Sequence, residues 1–115
     1  MAANPKRGEV TITLGTNELQ GKMTLDIIMR IETAIGMSIV KAVRQLAEGE
    51  LTTQHTIAVL TPIIRGGGND VSEKEIAKMV WESGLSDAMR EVAKVLVQAL
   101  TAGQDEGNLE EGELA

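Results

Sequence analysis

The chain has 115 residues, 43% of them hydrophobic, yet it holds no Phe, no Tyr, no Cys and a single Trp. Its core must therefore be built from Ile, Leu, Val, Ala and Met, without the rings on which single-stranded nucleic acid stacks and without disulfides or thiolate metal sites. The net charge of −6 is uneven: residues 1–104 carry 12 acidic and 11 basic side chains, and the last eleven add five acidic ones and no base, a balance that disfavours nucleic acid as a partner.

A chain of this size forms one domain that buries about two-thirds of its unfolded surface. No apolar run approaches the roughly 18 residues that a membrane helix needs, and no basic-then-apolar signal opens the chain. A soluble cytoplasmic protein with no membrane partner is the expectation.

Residues 1–7 read as a flexible polar arm containing Pro5. Glu9 to Leu14 then alternates polar with apolar β-branched residues, as a half-buried strand does. Gly15-Thr16-Asn17 is a turn cluster, and Leu19 to Met23 alternates again. The pattern predicts a β-hairpin with Val10, Ile12, Leu14, Leu19 and Met23 facing inward. A lone hairpin is marginal in water, so helices must cover that face.

Thr24 is placed to cap a helix running to Ile35, with Asp26 in its first turn and Gly36 just past its end. Ile27, Ile28, Ile31, Ala34 and Ile35 share its inner face, and Leu25 with Met29 forms a second stripe. Ser38 caps a short second helix with Ile39, Ala42, Val43 and Leu46 inward, ended by Gly49. Lys41, Arg44 and Gln45 lie on its outer side.

Leu51 to Ile64 carries no formal charge. Ile57, Leu60 and Ile64 share one face of a helix capped by Thr52 or Thr53, and Ala58, Val59 and Ile63 fall around its sides. A helix apolar over most of its circumference belongs at the centre of a core. Pro62 lacks the N–H that would bond to Ala58 and disfavours helix at Thr61, which predicts a kink or restart there.

Gly66-Gly67-Gly68 reads as a flexible connector. Ser72 to Glu75 is a capping box, S-x-x-E, opening a fourth helix to Ser83 with Ile76, Met79 and Val80 inward. Ser86-Asp87 opens a fifth helix that ends near Ala102. Its apolar arc spans about 200°, wider than the ~100° stripe that one neighbour needs, with Val95 and Val97 at its two edges. Residues 104–115 read as a disordered acidic tail. The fold expected is thus α+β, mostly α: a domain over residues 8–103 in which an N-terminal β-hairpin packs on a bundle of about five helices.

Catalytic chemistry has little to stand on. The triple glycine lacks a following G-K-[ST], and Asp70, Glu73 and Glu75 would repel a phosphate. Asn69, Asp70, Ser72 and Glu73 do not have calcium-loop spacing. His55 is the only histidine and reads as an ordinary helix-start residue. None of the carboxylate pairs lies in an apolar run that would suit it to general acid work. No enzyme, no cofactor and no metal site is therefore expected. Lys41, Arg44 and Gln45 could read DNA bases from the second helix, but without an excess of basic charge a solvated face suits them better. Trp81, Val95 and Val97, on the margins of the last two helices, are the candidate partner-binding residues.

One resemblance goes further. Ala3 to Val10 reads A-N-P-x-R-G-E-V, and the strand that follows resembles the opening of a phage and gene-transfer-agent tail family known both as tail assembly chaperone and as tail tube protein. Glu32 to Ser38 is similar to that family's E-x-x-x-G-x-S helix end, and the capping box at Ser72 and the Gly84-Leu85 break match its later helix–turn–helix in kind. The acidic tail and the glycine run have no counterpart in it. The resemblance implies a non-enzymatic cytoplasmic chaperone that binds the tape-measure protein, shields its hydrophobic helical stretches, recruits tail-tube protein and is absent from the mature particle. The alternatives are a structural tail-tube or connector subunit, and a small DNA-binding regulator.

Overall fold

The computed structural model describes residues 8–101, with the last helix assigned through Leu114. The order is β1 (Glu9–Leu14), β2 (Asn17–Lys22), α1 (Leu25–Ile35), α2 (Ile39–Ala47), α3 (Thr53–Gly66), α4 (Glu73–Ser83) and α5 (Leu85–Leu114). The expected hairpin on five helices is the architecture found. The tail expected to be disordered, 104–115, lies outside the described residues.

β1 and β2 form one antiparallel two-stranded sheet, with Leu14 opposite Asn17 and Glu9 opposite Lys22. A two-residue loop, Gly15-Thr16, therefore sets the register, and period-two alternation sends Val10, Ile12 and Leu14 to one face. All three are buried, as is Met23 just past β2, while Leu19 is half-buried. β1 packs on α4 and α5, and β2 packs on α3.

The helix ends follow local chemistry. Thr24, Ser38, Thr52 and Ser72 each accept a backbone N–H from the first turn of α1, α2, α3 and α4, and Ser72 completes a reciprocal capping box with Glu75. Each such cap contributes about 1 kcal/mol. Gly36 closes α1 in the left-handed region, at φ 67°, where a side chain would be strained.

α3 is the centre. It packs against β2, α1, α4 and α5, and Val59, Leu60, Ile63 and Ile64 are fully enclosed. Two buried threonines satisfy their hydroxyls one turn back: Thr56 donates to the Thr52 carbonyl at 2.9 Å and Thr61 to that of Ile57 at 2.8 Å. The restart expected at Thr61 does not occur, and α3 is a single helix with Pro62 inside it. Ala58 and Pro62 are both only half-buried, so the missing bond falls where water can reach the freed carbonyl.

The glycine run is not the flexible connector expected. α3 ends so close to β2 that a Cβ on Gly67 would fall on the Gln20 carbonyl and lie 2.7 Å from Gly21 Cα, while one on Gly21 would meet Ile63 Cγ2 at 2.7 Å. Asn69 ties the junction together. Its Nδ2 donates to the Gln20 carbonyl at 2.6 Å and to the Ile64 carbonyl at 2.9 Å. Glycine is used here for backbone approach, not for mobility.

Candidate functional site

Three surface features collect most of the apolar residues that the core does not use, Val40 on α2 standing apart from them. The first is a groove between α2 and α5, of about 410 Å³, walled by Val43 and Leu46 on α2, by Met89, Ala93 and Val97 on α5, and by Leu51 between α2 and α3. Val43 and Leu46 are half-buried, touching the core with one side and the groove with the other. Among the described residues its only charged wall residue is Arg90, which pairs with Asp87 at 3.0 Å on the exposed rim. A pair so exposed adds little stability. The second feature is the outer side of α1, where Leu25 and Met29 are 73% and 59% exposed. The third is Trp81 on α4, 75% exposed.

The candidate residues fare differently. Trp81 is open to solvent, as a partner-binding residue requires, and Val97, 49% exposed, stands on the groove wall. Val95 is corrected: it is fully buried. On α5 it falls on the stripe of Ala88, Val92 and Leu96, all enclosed. The two edges of the arc looked equivalent because helical spacing does not say which edge meets a neighbour; the core takes one and the groove takes the other.

The remaining polar candidates stay ordinary. Lys41 and Arg44 are exposed on α2, with Gln45 half-buried beside them. His55 caps nothing, although its Nδ1 is enclosed without a partner among the described residues and the residue lines a polar depression of about 440 Å³ with Gln54, Arg65 and Glu73. Among the described residues no group of three or more His, Asp or Glu is placed to hold a metal ion, and no helix is long and apolar enough to cross a membrane.

The sheet edges also bear on what this surface can do. On the outer edge of β1 the Thr13 N–H donates to Glu91 Oε1 of α5 at 2.6 Å, and that carboxylate also holds Lys94 at 2.9 Å. On the outer edge of β2 the Gln20 carbonyl is taken by Asn69. Each edge thus has a ladder group occupied by a side chain from elsewhere in the fold, which blunts it against strand addition.

Residues 7–102 match the profile of a family described as phage tail tube protein, GTA-gp10. No curated protein and no solved structure matches the chain.

Proposed function

The chain belongs to the phage tail tube protein, GTA-gp10, family, and from that premise we propose that it is a tail assembly chaperone. In this reading it is non-enzymatic and works in the cytoplasm of the host cell. It holds amphipathic helical stretches of a tape-measure protein while the tail is built, and it is left out of the finished particle. The observation that carries the reading is the open apolar groove between α2 and α5. A groove of this kind accepts the apolar side of a helix, whose anchors recur at i, i+3 or i+4 and i+7. Met89 in its wall suits it to varied sequences, because the unbranched thioether repacks readily.

A second reading is a tail-tube subunit that stays in the particle, and the family's description favours it. Among the described residues the fold supplies only one two-stranded sheet, with a helix or loop side chain on each outer edge. That is little sheet from which to build a ring.

Co-expression with the tape-measure protein separates the two readings. A chaperone raises the soluble yield of that protein, co-purifies with it, and is missing from purified particles by mass spectrometry. Val97→Asp should weaken the co-purification at least tenfold, since a charge in a desolvated groove costs well over 1.4 kcal/mol. A stoichiometric band in intact particles would sink the chaperone reading in favour of the tube.

A further inference from the structure

We propose that the outward face of α4 docks the acidic C-terminal segment, residues 104–115, of a second copy of this chain. The proposal is independent of the chaperone reading and uses a different surface from the groove.

α4 turns Ile76 and Val80 fully into the core, with Met79 beside them. Lys74, Lys78 and Trp81 follow one another at i, i+4 and i+7 and so share the opposite face. All three are exposed, and Trp81 is the most exposed large hydrophobic among the described residues and the chain's sole aromatic ring. No ion pair among the described residues includes either lysine. Of the three glutamates on α4, Glu75 is held in the capping box by the Ser72 N–H. Glu73 lines the cleft toward α3, which Lys74 also borders, and Glu82 borders the stripe beyond Lys78. The face therefore presents two ammonium groups, in no ion pair among the described residues, followed one turn later by an indole. A complementary segment carries closely spaced carboxylates with an aliphatic side chain among them, so that the carboxylates meet the lysines and the aliphatic group covers the ring.

The chain itself contains such a segment. Asp105, Glu106, Glu110, Glu111 and Glu113 surround Leu109 and Leu114, with no basic residue among them. The rest of the chain is nearly neutral, so this segment carries most of the net charge of −6. The direction of α5 favours a second copy as the source, and the concentration dependence below distinguishes it from docking within one chain. Trp81 stands one turn before the α4–α5 junction at Gly84. By Thr101 the helix has run sixteen residues from Leu85, about 24 Å away from that junction. The two halves of the contact leave the molecule at different places, so one copy's α4 receives another's tail. Such a contact is heterologous and propagates head to tail.

The lone indole reports on its own docking. Full-length protein should show Trp81 emission moving to the blue, and sedimenting mass rising, as concentration increases. Both changes should vanish at about 1 M salt, where screening reaches within about 3 Å. They should also vanish in the Lys74→Glu/Lys78→Glu variant, and in full-length protein with the five tail carboxylates changed to amides. Joining Lys74→Glu/Lys78→Glu with Glu106→Lys/Glu110→Lys/Glu111→Lys should restore association to within about tenfold of the original, a rescue that a merely misfolded variant cannot give. A monomer at every concentration overturns the proposal. So does association that ignores both sets of charges, and so does a tail-dependent emission shift that is independent of concentration, which would mean docking within one chain.

Discussion

The junction of α3 with β2 and the boundary of α2 with α5 are both places where two elements meet, and they are built in opposite ways. At the first, side chains are absent. Gly21 and Gly67 let two backbones touch, and Asn69 bridges them with two hydrogen bonds. At the second, Val43, Leu46, Met89 and Ala93 line an open groove between the helices. A junction made by backbone approach tolerates no added atom. A boundary made by partly buried side chains keeps apolar area in contact with water, and that area can be covered later by something else. Structural demand thus concentrates around α3, and spare surface collects at α2, α5 and the outside of α4.

Substitutions should reproduce this division. The largest effect is expected at Gly67. Gly67→Ala places a methyl group on the Gln20 carbonyl, and α3 must then move off β2. A loss of about 3 kcal/mol or more is expected, read as a lowered denaturation midpoint, because the obstruction is backbone and not a side chain that can rotate away. A wild-type midpoint would break the comparison at its tight end. Asn69→Ala comes next. It removes two hydrogen bonds at the same junction and should cost about 1–2 kcal/mol in urea unfolding with an unchanged slope. The smallest effect belongs to the open surface. Trp81→Ser and Val97→Ser should each shift stability by no more than about 0.5 kcal/mol, even where they weaken binding. A large loss of stability at either would mean that the site supports the fold and is not spare.

Much of the fold is legible in short stretches of sequence. The capping box from Ser72 to Glu75, the Thr24 cap and the Gly36 stop involve residues within a turn of one another, so their geometry follows from a few adjacent side chains. Alternation at Val10, Ile12 and Leu14 identifies the buried face of β1 for the same reason. The glycine run misled because a glycine used for mobility and one used for contact look alike until the partner strand is known, and Gln20 lies 47 residues before Gly67. Pro62, read as a kink or a restart, misled only about the restart. The cost of a proline in a helix depends on what surrounds the freed carbonyl, and here buried neighbours on the other side of α3 hold the helix continuous.

The candidate surface was half legible. The width of the apolar arc on α5 reveals that more apolar area exists than one neighbour can cover, and Trp81 stands opposite the inward residues of its own helix. Neither observation separates Val95 from Val97, which lie two residues apart on opposite edges. That choice belongs to packing: Val95 is enclosed in the core, while Val97 stands on the open groove between α2 and α5. The sequence by itself determined the elements, their caps, the inner faces and the excess of apolar surface, all properties of residues close along the chain. Only the tertiary structure decided which glycines are contacts, that α3 stays whole through Pro62, and where the excess surface opens, because each depends on which distant element arrives at that spot.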